Sequence, residues 1–379
     1  MPTRLLLAFD KFKHSLSSAE LADAFEEGWR EVLPETLFDK VAISDGGDGL
    51  VTTLVEACGG DYREVEVDDP LRRKIVAQYG LLDSGRSAVI ETSAAAGLRL
   101  LTSEERNPLN TTTYGVGTII LDALSHGCRK IILGLGGSAT NDCGMGMLAA
   151  LGVDFYDHDR NMLEPTGAAL ERVAEVDLSG LDPRLAEVEI VVASDVDNPL
   201  YGKRGAACIY APQKGADGSM VERLDRGMRN FASVVHVTLG VNTSEHAGAG
   251  AAGGLGYALM TFLHARLISG IQLVLDIVDF ERRALDADLI VTGEGCIDRQ
   301  TLMGKAPSGV LALSQRLGRD VIAVGGRVEW CDELRLGAFR KIYEATPRHM
   351  PIHEALRADV ARQNIRNVAR VIAREFVER

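Results

Sequence analysis

The sequence predicts an α/β protein, a doubly wound, mostly parallel sheet domain with a second, inserted α/β domain containing antiparallel or mixed strands. Short runs of leucine and β-branched residues, apolar on both faces, alternate with helical patterns, which is typical of buried parallel strands joined by helices. Two stretches, residues 61–93 and roughly 196–283, break that alternation. These interruptions predict the second domain.

Seven apolar runs predict the strands of the parallel sheet: 4–10, 39–45, 130–136, 188–195, 287–295, 320–326 and 341–346. Helical patterns lie between several of these runs, at residues 17–33, 144–152 and 308–318. Ser17 and Glu20 have the spacing of a capping box and predict where the first helix begins. Apolar residues at helical spacing among arginines predict a closing helix over 352–378.

The second domain is predicted from two interruptions of the strand and helix alternation. Residues 61–93 alternate apolar and polar side chains with turn signals between the runs, a pattern typical of antiparallel strands. We therefore expect one domain formed by residues 1–60, 119–195 and 284–379, and a second formed by residues 61–118 and 196–283.

Composition excludes several classes of function. A net charge of −13 without a run of Lys and Arg argues against a nucleic-acid partner. No apolar stretch of about 18 residues occurs, and the apolar run before Asp10 is too short for a signal sequence, so we expect no membrane span and a cytoplasmic location. The six cysteines form no CxxC pair, which excludes a zinc site or disulfide framework of that kind.

Polar residues gather where the predicted parallel strands end, and ligands of such sheets bind outside the carboxyl ends of the strands. A single acidic residue there is usually a helix cap, but five such strand ends together indicate a site. The residues at these ends are Asp10, Lys13, Ser15, Asp45, Asp48, Gly136, Gly137, Ser138, Asn141, Asp142, Asp195, Asp197, Asn198, Glu294 and Asp298.

Two glycine-rich segments predict phosphate contacts. In "KIILGLGGSATNDCGMGMLAALG" (130–152) a strand leads through small residues into a helix, an arrangement that suits an anion. The same residues fit GxGxxA, so a dinucleotide site and a purely structural turn both stay open. In "HAGAGAAGGLGYAL" (246–259) the glycines allow either close approach to phosphates or close helix packing. No GxxxxGK[ST] motif occurs, which excludes a P-loop kinase.

The basic and acidic residues at the strand ends fit phosphoryl transfer. This reaction needs cations near the phosphates, carboxylates that bind Mg²⁺ and a base near the hydroxyl that accepts the phosphoryl group. Six basic residues near the strand ends could reach an anion: Lys13, Lys203, Arg204, Lys214, Lys305 and Arg327. Lys13 and Lys305 are the leading cations among them. The GxSxG motif of serine hydrolases and the HExxH motif of zinc enzymes are both absent from the sequence. A nicotinamide-dependent oxidoreductase and a non-catalytic nucleotide-binding module remain as alternatives.

Six blocks, in the same order along nearly the whole chain, resemble the type-1 glycerate kinase family. They are "AFDKFKHSLSSAELADAFEEGWREVLP", "SDGGDGLV", "GLGGSATNDCGMGML", "DVDNPLYGKRGAACIYAPQKGA", "GAGAAGGLGYAL" and "TGEGCIDRQTLMGKAP". The resemblance implies an ATP- and Mg²⁺-dependent enzyme that phosphorylates D-glycerate, most often giving 2-phosphoglycerate. The sequence leaves a homo-oligomer open.

The resemblance also implies roles for the strand-end residues. The expected catalytic residues are Asp195, Asp45 and Lys13, and the expected glycerate ligands are Asp10, Ser15, Arg204, Asp197 and Asn198. The expected ATP ligands are Gly136, Gly137, Ser138, Asn141, Asp142, Gly248, Gly250, Gly253, Gly254, Glu294, Asp298 and Lys305. Asp195 and Asp298 are the expected Mg²⁺ ligands. Which carboxylate is the base and which binds the metal stays open between Asp195 and Asp45, with Asp197, Glu294 and Asp298 as alternates.

Five positions depart from the family's usual pattern. Lys11 replaces serine, His14 replaces glycine, Asp48 replaces glutamate, Cys143 replaces a common glycine and Cys296 replaces a common arginine. The change at 296 removes one candidate for a phosphate contact, whereas none of the five removes a carboxylate that phosphoryl transfer requires.

Overall fold

The computed structural model describes residues 2–47, 49–335 and 339–378. The chain forms two compact units. The first unit consists of Met1–Asp45 and Ile271–Arg379, and the second unit is the continuous segment Gly46–Gly270.

The strands are β1 (Arg4–Phe9), β2 (Leu37–Ala42), β3 (Asp61–Asp68), β4 (Lys74–Leu82), β5 (Ser87–Glu91), β6 (Lys130–Gly134), β7 (Asp154–Tyr156), β8 (Glu175–Asp177), β9 (Glu189–Ala193), β10 (Arg266–Ile268), β11 (Leu289–Ile297), β12 (Val321–Val328) and β13 (Lys341–Glu344). The helices are α1 (Ser18–Arg30), α2 (Leu50–Cys58), α3 (Ser93–Ala96), α4 (Tyr114–Ser125), α5 (Met145–Ala150), α6 (Ala206–Tyr210), α7 (Gly218–Leu239), α8 (Ala251–Leu263), α9 (Gly270–Ile277), α10 (Phe280–Leu285), α11 (Ala306–Arg316), α12 (Asp332–Arg335), α13 (Ile352–Ala355) and α14 (Ala358–Val377).

The sheet of the first unit has the strand order β13-β12-β11-β1-β2 and is parallel throughout. Alternate residues of β1 point to opposite faces. One set packs with α1 and α14 in a single core cluster, and the other set is also fully buried, so both faces of the strand are covered. The connections from β1 and β11 run in opposite directions along the sheet, which makes the β1/β11 boundary a topological switch point.

The sheet of the second unit is mixed, with the strand order β10-β9-β6-β5-β4-β3. Strands β10, β9, β6 and β5 are parallel, whereas β4 and β3 are antiparallel to their neighbours. A short antiparallel pair, β7 with β8, accompanies this sheet. The parallel sheet and the mixed sheet together confirm the predicted α/β class.

The units divide the chain differently from the ranges expected from sequence. Strands β6 and β9 were expected in the first sheet, but they pair with each other and with β5 in the second sheet. Residues 46–60 and 119–195 therefore lie in the second unit, which is one continuous insertion. An apolar run predicts a buried strand without specifying its neighbour, because pairing depends on contacts distant in sequence.

Within the described part of the chain, every helix is too short or too polar to span a membrane.

Candidate active site

A cavity of about 740 Å³ lies at the carboxyl ends of the strands of the first unit. All five strands contribute to its lining, either by their last residues or by the loops that follow them. The sequence-predicted residues in the lining are Asp10, Lys13, Ser15, Asp45, Glu294 and Lys305. The structure thus brings together six predicted residues from four separate segments, at the edge where parallel sheets bind ligands.

Asp10 and Glu294 face each other across the switch point. Phe9 of β1 is in register with Gly293 of β11, so the next residue of each strand comes to the same edge. The Asp10 Oδ1 accepts a hydrogen bond of 2.7 Å from the Lys11 N–H. Burial, with smaller contributions from the Asp45 and Glu294 carboxylates, raises the pKa of Asp10 to about 7. A carboxylate with this pKa is suited to accept a proton from a hydroxyl at neutral pH.

Glu294 and Lys305 place opposite charges in the same cavity. The Lys305 Nζ lies 3.5 Å from the Glu294 Oε2 and 3.8 Å from the Asp298 Oδ1. Glu294 is 8% exposed, and burial raises the pKa of its carboxyl group. Among the described residues its Oε1 has no hydrogen-bond partner. This oxygen is therefore an acceptor available to a ligand or a cation.

Asp298 has a structural task beside this pair. Its Oδ1 accepts hydrogen bonds from the backbone N–H groups of Gln300 (2.7 Å) and Thr301 (3.1 Å), and the Thr301 hydroxyl accepts one from the Asp298 N–H. This is a capping box at the start of the short helical turn Arg299–Leu302. The cap fixes the loop that leads to Lys305, which is itself the N-cap residue of α11.

A tight turn after β1 presents Lys13 and Ser15. Backbone hydrogen bonds join Phe12 and Leu16 in both directions, so the residues between them protrude. Lys13 is exposed, and among the described residues the Ser15 Oγ has no hydrogen-bond partner. His14 lies in this turn at φ +65°, in the left-handed region.

Replacing His14 by glycine is expected to raise the free energy of unfolding by about 0.5–1 kcal/mol, because a β-carbon is strained at this backbone angle and glycine is not. The measurement is urea unfolding of the purified protein. His14→Ala is the control, since it removes the imidazole and retains the β-carbon. Equal stability of the glycine and alanine variants would contradict strain as the cause.

The acidic side chains of the cavity fit Mg²⁺ as part of a nucleotide complex. Mg²⁺ usually takes one or two carboxylates together with phosphate oxygens and water. Within residues 2–47, 49–335 and 339–378, no group of three or more His, Cys, Asp or Glu side chains is arranged to hold a metal ion. The Glu294 Oε1, which has no partner among the described residues, and the Asp45 carboxylate in the same lining provide the one or two protein carboxylates that Mg²⁺ takes beside phosphate and water. Asp48, another predicted strand-end residue, lies outside the described residues.

The first glycine-rich segment lies in the second unit and differs from the expected strand-to-helix turn. Strand β6 ends at Gly134, but α5 begins at Met145 and is six residues long. Residues 135–144 form a loop in which Gly136 and Gly137 are exposed. A dinucleotide fingerprint requires that the GxGxxA motif lead directly into a helix. Here the motif is followed by the rest of the loop, so the requirement is not met.

Asp142 organises this loop. Its fully buried carboxylate accepts hydrogen bonds from the Thr113 N–H and hydroxyl (both 2.8 Å) and from the N–H groups of Gly146 (3.1 Å) and Gly144 (3.2 Å). Burial raises the pKa of Asp142 despite these bonds. The neighbouring Asn141 is also fully buried, and its carboxamide has no hydrogen-bond partner within the described part of the chain.

Lys214 supports the same loop, whereas its sequence position indicated only a cation that could reach an anion. It is 2% exposed, and its Nζ donates hydrogen bonds to the Ser138 Oγ (3.0 Å) and the Thr140 carbonyl (2.6 Å). Burial lowers the pKa of Lys214 to about 7. Nothing in the local sequence "APQKGA" indicates that this lysine is buried. Its burial is seen only in the structure.

The second glycine-rich segment packs against the first. A β-carbon on Gly253 would lie 1.9 Å from the Thr140 carbonyl oxygen, and one on Gly250 would lie 2.4 Å from the Pro199 carbonyl oxygen. The Gly253 carbonyl accepts a hydrogen bond of 3.1 Å from the Cys143 N–H. Gly248 and Gly254 have φ values of +86° and +90°. Close approach of backbone segments thus accounts for Gly250 and Gly253, and left-handed backbone accounts for Gly248 and Gly254.

The predicted residues after β9 form a loop in the second unit. Asp195 is exposed, and its Oδ1 accepts a hydrogen bond of 3.2 Å from the Gly270 N–H. Asn198 donates to the Arg204 carbonyl (2.7 Å) and accepts from the Tyr210 hydroxyl (2.6 Å), which holds the loop together. Arg204 and Asp197 form an exposed ion pair at 3.3 Å.

The first-unit cavity also includes Arg327, which its sequence position marked only as one of several cations that could reach an anion, and Trp330 and Asn364, which were missed. Arg327 belongs to β12 and Trp330 follows that strand, whereas Asn364 belongs to α14. The signal for Asn364 was present in the sequence, since this polar residue occupies the apolar face of the closing helix.

The comparisons with known proteins agree with these observations. The model of the glycerate kinase family matches residues 5–377. The chain is 46% identical to a glycerate kinase of Bacillus subtilis, over 86% of this chain and 85% of the relative. It is 43% identical to the glycerate 2-kinase of Escherichia coli, over 85% of each chain. It is 41% identical to a glycerate kinase of Halalkalibacterium halodurans, over 96% of this chain and 97% of the relative.

A solved structure agrees as well. A crystal structure assigned to a glycerate kinase 2 of Salmonella typhimurium LT2 superposes with a TM-score of 0.91 at 41% identity, covering 100% of this chain and 99% of that chain. Both the family model and the relatives extend over nearly the whole sequence, and the fold matches throughout. The resemblance seen in six sequence blocks is confirmed, and the chain belongs to the glycerate kinase family.

Proposed function

We propose that the protein transfers the γ-phosphoryl group of ATP to the 2-hydroxyl of D-glycerate, giving 2-phosphoglycerate and ADP. The observation that carries this proposal is the cavity in which Asp10, with its pKa of about 7, adjoins Asp45, Glu294 and Lys305. Family membership supports glycerate as the acceptor. The name of the Escherichia coli relative supports the 2-phosphorylated product.

In the proposed reaction Asp10 is the general base. The glycerate hydroxyl loses its proton to an Asp10 carboxylate oxygen as the hydroxyl oxygen bonds to the γ-phosphorus. The bond from that phosphorus to the β–γ bridging oxygen breaks, and ADP leaves with the electron pair. Asp10 takes precedence over Asp195 in this role because burial and two neighbouring carboxylates raise its pKa, whereas Asp195 is exposed.

Cations and acidic groups of the cavity complete the proposed chemistry. Lys13 and Lys305 bind oxygens of the glycerate carboxylate and the transferred phosphoryl group, which holds the reactants in position. Glu294 and Asp45 are the groups that would hold Mg²⁺, which supplies charge neutralisation on the phosphoryl oxygens. Phosphate contacts by the 136–142 and 248–254 loops, and glycerate contacts by Asp197, Asn198 and Arg204, stay predictions.

Asp195→Asn distinguishes the role predicted from sequence from the mechanism proposed here. A base or metal ligand at Asp195 predicts a loss of turnover of at least about 10²-fold, whereas a mechanism that gives these tasks to Asp10, Glu294 and Asp45 predicts turnover close to wild type. Asparagine retains the oxygen that accepts the Gly270 N–H, so the fold is expected to persist. The measurements are steady-state turnover and thermal unfolding. Wild-type turnover in this variant would exclude Asp195 from the chemistry.

A coupled assay of ADP release tests the function. The expected result is ADP formation that requires both D-glycerate and Mg²⁺, with a product whose ³¹P and ¹³C NMR spectra are those of 2-phosphoglycerate. Formation of 3-phosphoglycerate would move the reaction to the other hydroxyl. Binding of ATP without glycerate-dependent ADP release would contradict the proposal and favour a nucleotide-binding module.

A further inference from the structure

The first-unit cavity changes character along the edge of its sheet. The lining residues follow the order of the strands along this edge. Asp45 after β2 comes first, and then Asp10 and Glu294. Arg327 and Trp330 at β12 and the residues after β13 lie at the other end. Four strand spacings of about 4.8 Å make this edge about 19 Å long. A three-carbon acid and one phosphoryl group occupy a fraction of that length, so the β12–β13 end has room for another part of a ligand.

The β12–β13 end combines an apolar patch that carries one aromatic ring with charged side chains, among them Arg335 and Arg348. Its lining includes Val328, Trp330, Met350, Leu356 and Ile365. Trp330 is 43% exposed although tryptophan is a strongly apolar residue. A carboxylate at this end, Glu344, lies 3.7 Å from the Arg348 guanidinium and accepts a hydrogen bond from the Val328 N–H. A flat, uncharged ring fits such a lining because it can stack on the indole.

Asn364 adds hydrogen-bonding groups to the β12–β13 end of the cavity. It is 6% exposed and lies on the buried face of α14, next to Ile365. Its Nδ2 is 3.6 Å from the Met350 Sδ, and a thioether is a weak acceptor. The Nδ2 group can therefore exchange this weak partner for a stronger acceptor on a ligand. The amide group of asparagine matches the N6 and N7 positions of adenine, one donor and one acceptor.

Arg327 lies between the two ends of the cavity. It is exposed and pairs in register with Cys296 across β11 and β12. Cys296 occupies a position where the sequence pattern of the family commonly has arginine, and side chains in register lie on the same face of a sheet. The Arg327 guanidinium therefore lines the cavity on the same face of the sheet as Cys296, where it can reach phosphate oxygens.

We propose that the β12–β13 end of this cavity binds the adenine base of the phosphoryl donor. The base stacks on Trp330 and hydrogen-bonds to Asn364, and the phosphates run past Arg327 and Lys305 toward Asp10. This inference rests on the proposed function in taking ATP as the donor, and it assigns the base to the first unit independently of the glycine-rich loops.

Kinetics of Trp330→Ala and Asn364→Ala test the assignment. Both variants are expected to raise the KM for ATP about 10-fold, as removal of a base-stacking or base-pairing side chain does, and to change the KM for D-glycerate less than about twofold. Trp330→Phe, which retains a stacking surface, is expected to stay within about threefold of wild type. Val371→Ala, on the exposed face of the same helix as Asn364, is the control and is expected to have no effect. An unchanged KM for ATP, or an equal rise in both KM values, would overturn the assignment.

A measurement of ADP binding tests the adenine site independently of whether the protein phosphorylates glycerate. The chain has two tryptophans, of which Trp29 is fully buried in the core, so a fluorescence change on adding ADP without glycerate reports on Trp330. Saturable quenching that is lost in Trp330→Ala supports the assignment even if glycerate is not phosphorylated. Glycerate phosphorylation by a protein whose tryptophan fluorescence does not respond to ADP would overturn the assignment and leave the proposed function intact.

Discussion

Asp10→Asn is expected to lower turnover with D-glycerate at least about 10³-fold and to raise the unfolding temperature at pH 8. The loss of turnover follows from removing the group that accepts the hydroxyl proton, since general-base catalysis contributes about 10²–10⁴-fold. Asparagine is nearly the same size and keeps an oxygen for the Lys11 N–H, so the cavity retains its shape. The measurements are ADP release and thermal unfolding at several pH values.

The stability effect follows from the pKa of Asp10, which is 3.8 in its ordinary environment and about 7 in the folded protein. Between these values the folded state binds more protons than the unfolded state, so stability falls as pH rises from about 4 to 7. Above pH 7 the full effect applies, at most about 4 kcal/mol at about 1.4 kcal/mol per pKa unit. Asparagine has no charge to bury, so its stabilising effect is expected to be large at pH 8 and absent near pH 4.

Asp286→Asn is the matched control, because Asp286 is an exposed aspartate of the same unit, outside the cavity lining. It is expected to leave both turnover and the pH dependence of stability unchanged. An Asp10→Asn protein that retains more than about a tenth of wild-type turnover would contradict the general-base role. One that is less stable than wild type at pH 8 would contradict the raised pKa.

Gly253→Ala is expected to lower the free energy of unfolding by about 2–4 kcal/mol. Its new β-carbon would lie 1.9 Å from the Thr140 carbonyl oxygen, and the backbone there has a φ of +69°. The contacting atom belongs to the backbone, so relief requires a shift of the whole 136–143 loop. Denaturant unfolding of the purified variant measures the loss.

Gly218→Ala is the control for this prediction, because a β-carbon on Gly218 meets no atom within 4 Å among the described residues. Its stability is expected to stay within about 1 kcal/mol of wild type. If Gly253→Ala has wild-type stability but a raised KM for ATP, the glycine serves a phosphate contact and the packing explanation is wrong.

The strands were predictable from sequence because each is an apolar run ending at a polar residue. Strands β1, β11 and β12 lie within a few residues of their predicted ranges. The partners of β6 and β9 were not predictable, since a run that is apolar on both faces fits any buried position of a parallel sheet. The hairpin-like appearance of residues 61–93 also concealed that β5 pairs in parallel with β6.

Part of the site was predictable for a similar reason. Asp10 and Asp45 follow parallel strands and Glu294 lies in the carboxyl-terminal half of another, and these parts of one sheet share an edge. The raised pKa of Asp10 was not predictable, because it depends on burial and on carboxylates brought close by the fold. Trp330 was missed because nothing in its local sequence distinguishes a cavity residue from an exposed one.

Two departures from the family pattern have a structural meaning that sequence alone did not give. His14 and Cys143 replace glycines that are common in the family, and their φ values are +65° and +51°. The usual glycine at these positions thus corresponds to left-handed backbone, which only glycine adopts without strain. These substitutions affect backbone strain and leave the chemical groups of the cavity in place.

The pH dependence of kcat/KM for D-glycerate tests the central claim most directly, which is that Asp10 in the first-unit cavity accepts the hydroxyl proton. Measured with ATP held far below its KM, this parameter reports the ionisation of essential groups in the free enzyme, in which no Mg²⁺ neutralises Asp45 and Glu294. The account predicts a rising limb with its midpoint near pH 7, matching the pKa of Asp10. Glycerate-dependent ADP release with a profile that is flat between pH 5.5 and 8.5, a range of about 1.5 units on each side of that pKa, would contradict it.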